Sequence, residues 1–322
     1  MDDTALLQLH DLARAAAHPG EPAGVPCPCR AGLLADRADG TVVRHGRLVL
    51  KAHGADGDPA ALRARISVAA LPALEGILLP PLPEPPESPA AARRSLSLWP
   101  YGTPVDPEDP GAAPWEAAGR LLAGLHRSPA PPGTPPMRAP LKVSLAVDRM
   151  CQAAPDHPAT PVVLRAWATV PAVPAPDAAL PSALCHGDFH LGQLVRLGEP
   201  GRDPRWRLID VDDLGLGDPA WDLARPAAWF AAGLLSPEVW SRFLGAYEAA
   251  GGPATRGPAT RAPDPWARLD VPARALTVQT AALAVAKSTA EGRPLDEVED
   301  VMIDTCARIG SLRTELPPAA ST

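Results

Sequence analysis

The spacing of apolar and polar positions divides the chain into a strand-rich start and a long helical remainder. Residues 2–17 place Leu6, Leu9, Leu12 and Ala13 on one face behind Asp2 and Asp3, which predicts a capped helix. From 25 to 53 the runs shorten and are broken by Gly and Asp. Residues 35–40 predict a turn, and His45-Gly46 predicts a hairpin joining strands 41–44 and 47–53. Asp58-Pro59 then opens a helix, Asp as its cap and Pro at its first position. Residues 95–102 read as a strand entering a turn, and 106–114 as a linker. Beyond it the period is helical: 114–127, with Trp115, Ala118, Leu121, Leu122 and Leu125 on one face, then 141–154, 161–170, 221–235, 237–251, 271–291 and 295–312. Proline-rich 79–89 and 128–140 and the Pro/Gly/Arg-rich 255–265 predict loops.

One stretch, 183–224, interrupts the helices and carries the chemistry. Two strand-like runs, 182–185 and 206–209, each deliver an acid at or just past the end, Asp188 and Asp210. Between them lie Gln193, a mostly apolar run at 194–197 and a Gly/Pro/Asp turn at 198–204. Loops at strand ends bring distant carboxylates together on a rigid base, as metal-assisted phosphoryl transfer requires.

His186-Gly187-Asp188-Phe189-His190-Leu191-Gly192-Gln193, then Leu208-Ile209-Asp210, then Gly217-Asp218-Pro219-Ala220-Trp221-Asp222-Leu223-Ala224 together resemble the aminoglycoside phosphotransferase/choline kinase-like superfamily. Gln193 stands where that superfamily usually has Asn; in this the loop is similar to that of maltokinases. The resemblance implies an α+β, bilobal protein-kinase-like fold. Residues 1–102 would form a small, mainly β nucleotide-binding lobe ending in a hinge, and 103–322 a helical lobe with the catalytic loop, metal site and acceptor pocket. It implies Asp188 as catalytic base, Gln193 and Asp210 as Mg²⁺ ligands, and His186 and Asp218 as supports of the loop. Asp222 would cap and brace. Lys51 would meet the ATP phosphates, and the 95–102 strand would be the hinge, where Trp99 and Tyr101 either flank the purine or fill core. Asp212 and Asp213 either serve a second metal or a cationic acceptor, or are solvated. No acid stands within the 59–70 helix to pair with Lys51, so its partner lies elsewhere or its position is looser than in the family.

The implied activity is transfer of the ATP γ-phosphate to a hydroxyl of a small molecule: an aminoglycoside or other antibiotic, a sugar or an amino alcohol. The alternative is a nucleotide-binding pseudokinase with a regulatory or scaffold role.

Composition narrows the partners. A net charge of −7 and a pI near 5.6 argue against nucleic acid. No apolar run reaches the roughly 18 residues a membrane span needs, and a reducing cytoplasm is the expected location. Only three lysines occur, Lys51, Lys142 and Lys287, against 27 arginines, which singles out Lys51; Lys142 reads as a surface residue. The five cysteines make no disulfide framework, and Cys27-Pro28-Cys29 lacks a second cysteine pair, so no zinc site is expected.

Overall fold

The computed structural model describes residues 3–21, 26–37, 39–54, 57–83, 94–109, 111–171, 182–198, 205–255 and 264–312. Most of the expected 79–89 loop, the 198–204 turn and the 255–265 connection lies outside them. The chain is α+β and forms two compact units.

The first unit holds Met1–Pro114, Ala130–Pro135 and Leu191–Asp212. Helix α1 (Asp3–Ala17) packs on an antiparallel sheet of β1 (Ala31–Arg37), β2 (Gly40–His45), β3 (Leu48–His53) and β4 (Leu96–Pro100), in that order. Leu9 and Ala13 of the helix join Val43, Leu48, Leu50, Ala52 and Leu98 in its core. Strand β1 runs on through Arg37 with a bulge between Leu33 and Ala35, so the expected 35–40 turn shrinks to the tip: Ala35, Asp36 and Arg37 pair with β2, and Asp39 stays in the turn. Helix α2 (Pro59–Ala69) starts as expected, Asp58 accepting from Ala60 N at 2.8 Å. A second antiparallel sheet joins β5 (Thr103–Pro104), β7 (Leu194–Leu197) and β8 (Arg205–Leu208). A 3-10 turn, Leu191–Gln193, leads into β7.

The second unit holds Trp115–Pro129, Pro136–His190 and Asp213–Thr322. Its helices are α3 (Trp115–Arg127), α4 (Ala139–Ala153), α5 (Thr160–Trp167), α6 (Ala220–Ala231), α7 (Pro237–Ala249), α8 (Trp266–Glu291) and α9 (Glu297–Ser311). The 26-residue α8 is alanine-rich and buried on most sides, which lets α4, α5, α6 and α9 pack on it. Among the described residues, strand β6 (Ala183–Cys185) pairs only with β9 (Gly215–Gly217), while β8 pairs with β7. The two strands that lead to Asp188 and Asp210 therefore belong to different sheets. Among the described residues no helix is long and apolar enough to cross a membrane.

Candidate active site

In the first unit, β3 presents Lys51 to two carboxylates. Its Nζ donates to Asp210 Oδ1 at 2.6 Å and lies 3.0 Å from Asp212 Oδ2. Burial alone would lower the ammonium's pKa, but the two acids overcome it and raise it. The acid partners of Lys51 thus come from outside α2, and Asp212 is engaged here rather than solvated. Asp210 follows β8 with φ of +63°, a left-handed conformation that Asp tolerates and that surrounding structure must hold. Gln193, buried at the end of the 3-10 turn, reaches Asp210 Oδ2 with its Nε2 at 3.4 Å.

Behind Asp212 a relay of hydrogen bonds crosses the sheet. Trp99 Nε1 donates to Ser97 Oγ at 2.8 Å, Ser97 pairs with His53 Nε2 at 2.7 Å, and His53 Nδ1 meets Asp212 Oδ2 at 3.0 Å. The Trp99 indole is thereby buried in the sheet with its donor used. Tyr101 carries the Arg44 guanidinium 3.4 Å above its ring centre, so one of its faces is covered. Asp212 Oδ1 is buried and has no hydrogen-bond partner among the described residues. A carboxylate and an amide beside such an orphaned oxygen are hard donors of the kind Mg²⁺ takes.

In the second unit, the turn after β6 presents Asp188. Gly187 sits at φ +82°, where a Cβ would fall 2.2 Å from the Asp213 carbonyl oxygen, so only glycine fits. Fully buried Asp222 accepts from the backbone N–H of His186 at 2.6 Å and of Gly187 at 2.8 Å. His126 Nε2 approaches the same carboxylate at 2.9 Å, and its Nδ1 meets Tyr247 Oη at 2.8 Å. Burial would raise the Asp222 pKa, but the His126 bond and the neighbouring charge lower it. His186 is itself buried, its Nδ1 3.4 Å from Asp188 N. Asp218 takes Ala220 N at 3.0 Å and Arg268 Nη2 at 2.7 Å, tying the start of α6 to α8.

Both Asp188 oxygens face cations: Lys142 Nζ at 2.7 Å and Arg225 Nη2 at 2.9 Å. Lys142 also donates to Asp213 Oδ2 at 2.7 Å, and Arg138 lies 3.5 Å from Asp213 Oδ1. Burial pushes the Asp188 carboxyl up, but Lys142 and Arg225 bring it down to about 2. For Asp213 burial wins over Lys142 and the pKa is raised. Lys142 is thus not a surface residue, and Asp213 is not merely solvated. Lysine scarcity was the available signal for Lys142. Arg225 lies one turn past Asp222, and no local pattern marks it.

Replacing Lys142 with Met is expected to lift the Asp188 pKa and to destabilise the fold by about 2–4 kcal/mol, because two partly buried carboxylates lose their shared cation. The sign follows from linkage. A carboxyl whose pKa is depressed on folding contributes stability above its unfolded value, near 4, and loses it as pH falls toward about 2. The variant should therefore show a smaller acid-dependent loss of stability between roughly pH 4 and 2 than the parent, read by urea melts across that range.

Residues 33–266, well over half of the chain, match the model of the phosphotransferase enzyme family. The chain belongs to that family. No curated protein matches the sequence. Among solved structures, this phosphotransferase is similar to a choline/ethanolamine kinase family protein from Mesorhizobium loti at 19% identity and TM-score 0.58, covering 93% of this chain and 94% of that one. It is also similar to an aminoglycoside phosphotransferase from Streptomyces rimosus at 22% identity and TM-score 0.55, covering 87% and 99%. A spectinomycin phosphotransferase solved with ADP and spectinomycin matches at 13% identity and TM-score 0.54, covering 85% and 92%. These likenesses show that the phosphotransferase has a kinase-like fold.

Proposed function

We propose that this phosphotransferase moves the γ-phosphate of ATP to a hydroxyl of a small molecule, an aminoglycoside or other antibiotic, a sugar or an amino alcohol. The observation that carries the reading is the pairing of Lys51 with Asp210 and Asp212, which supplies the charge partner that α2 lacks. Lys51 offers a compact, rotatable ammonium for the α- and β-phosphates. Gln193 and Asp210 would hold Mg²⁺, with Asp212 Oδ1 as a further oxygen; the ion would neutralise charge on the phosphates. The longer amide of Gln193 serves where the family usually has Asn, as in maltokinase-like loops.

Asp188 orients the acceptor hydroxyl and takes up its proton as the oxygen attacks. With a pKa of about 2 it is a weak base, so alignment outweighs proton abstraction in its contribution. Lys142 and Arg225 fix the direction of its two oxygens. Asp222 holds the loop through the His186 and Gly187 amides. Trp99 and Tyr101 would border the adenine subsite at the end of β4, Trp99 from within the sheet.

The pseudokinase reading keeps one observation in its favour: both oxygens of Asp188 are engaged by cations. The two readings separate in one assay, transfer from γ-labelled ATP with Mg²⁺ across aminoglycosides, peptide antibiotics, sugars and amino alcohols. The expected result is label on one acceptor class. ATP binding without transfer to any acceptor, water included, would favour the pseudokinase, and failure to bind ATP would sink both.

A further inference from the structure

The first unit contains a second cluster of chemically capable side chains that phosphoryl transfer leaves unused. His18 follows α1, Cys27 and Cys29 flank Pro28, and His45 ends β2. One ligand atom from each lies within 4.8 Å of all the others. We propose that His18, Cys27, Cys29 and His45 form a structural zinc site.

The distances carry the case. His45 Nε2 is approached at 3.2 Å by His18 Nε2 and at 3.2 Å by Cys27 Sγ, and His18 Nε2 meets Cys29 Sγ at 3.5 Å. A ring nitrogen directs one proton or one lone pair along a single line. Two partners converging on one nitrogen are therefore poorly served by hydrogen bonds but well served by a common cation. Tetrahedral zinc with bonds of about 2.0–2.1 Å to nitrogen and 2.3 Å to sulfur sets ligand edges of roughly 3.3 Å for N···N and 3.5–3.6 Å for N···S. The three observed edges approach these values without rearrangement of the chain.

Two neighbours support the same assignment. Glu21 Oε2 lies 3.6 Å from His18 Nδ1, the far nitrogen of a ligand ring, where metal-binding histidines commonly face a carboxylate. Gly46, at φ +59°, leaves the space that Cys29 Sγ needs: a Cβ there would stand 3.3 Å from the sulfur. Nitrogen and thiolate donors favour zinc over Mg²⁺, and four protein ligands leave no open position for catalysis. The site would staple the end of α1 to the β2–β3 hairpin through the Cys-Pro-Cys segment. Its second pair is two histidines, from a helix end and a strand end, in place of a second cysteine pair.

The test is metal analysis of the full chain purified under reducing conditions without chelator. About one zinc per chain is expected, falling at least fivefold in the Cys27→Ser/Cys29→Ser double variant and unchanged in Cys151→Ser. Should the double variant fold poorly, the parent alone decides. Cobalt replacing zinc should give the intense d–d bands of a tetrahedral thiolate site, and removing the metal with a chelator should lower the Tm by several degrees. Zinc below about a tenth of an equivalent after incubation with Zn²⁺ and desalting, or cobalt bands of octahedral intensity, would overturn the proposal.

Discussion

Asp188→Asn is expected to lower phosphate transfer by about a thousandfold or more while leaving ATP affinity within a few-fold of the parent. The amide nearly keeps the size of the carboxylate but removes the charge that aligns an acceptor hydroxyl. It also turns an NH₂ toward either Lys142 or Arg225, each of which had an oxygen within 3 Å. Lys142 retains Asp213, so the fold should lose only a modest part of its stability. Single-turnover kinetics beside equilibrium ATP binding would make the separation. Unchanged transfer would remove Asp188 from the chemistry, and loss of ATP binding would mean that the substitution acts on the nucleotide instead. Because Asp188 titrates at about 2, any acid limb in the parent's kcat/KM above pH 4 must come from another group.

Asp222→Ala should have the largest effect on stability, about 3–5 kcal/mol. The deletion strands two backbone N–H groups, those of His186 and Gly187, where the carboxylate side chain was fully buried, and takes the carboxylate partner from His126. The loss would pass along a chain of contacts, because Tyr247 Oη joins His126 to Ala254 N at 2.9 Å. Asp222→Asn should recover only part, since an amide has one acceptor oxygen where two amides and an imidazole compete. Thermal melts of the pair would show this order. Equal melting of Asp222→Ala and the parent would mean that the loop is held by other contacts.

How much of this was legible in the sequence differs from element to element. Helix α2 was readable because Asp58 and Pro59 act locally, through one hydrogen bond and one fixed dihedral. The amphipathic faces of α1 and α3 were readable because each helix buries one side, α1 against its sheet and α3 against α7 and β6, and leaves the other side to solvent. The family pattern at 186–193 and 217–224 marked the loop and its brace. What the sequence withheld was pairing over distance. Lys51 and Asp210 are 159 positions apart, and Lys142 and Asp188 are 46 apart; charge alone does not say which acid meets which amine. Strand β1 was underestimated because Ala35-Asp36-Arg37, leading into Asp39-Gly40, looks like part of the turn until a neighbouring strand claims its backbone. The four residues at 18, 27, 29 and 45 were invisible as a set for the same reason: three separate elements contribute them.

The pairing of lysines with carboxylates has a consequence for labelling. Of the three lysine amines, two are held in ion pairs that keep them protonated, and only Lys287 is exposed on a helix surface. An acylating reagent needs the free amine, so at neutral pH it would modify Lys287 first, far in advance of the other two. A fluorophore or tether attached through lysine would therefore mark one known position on α8 and leave the carboxylate-bound amines intact.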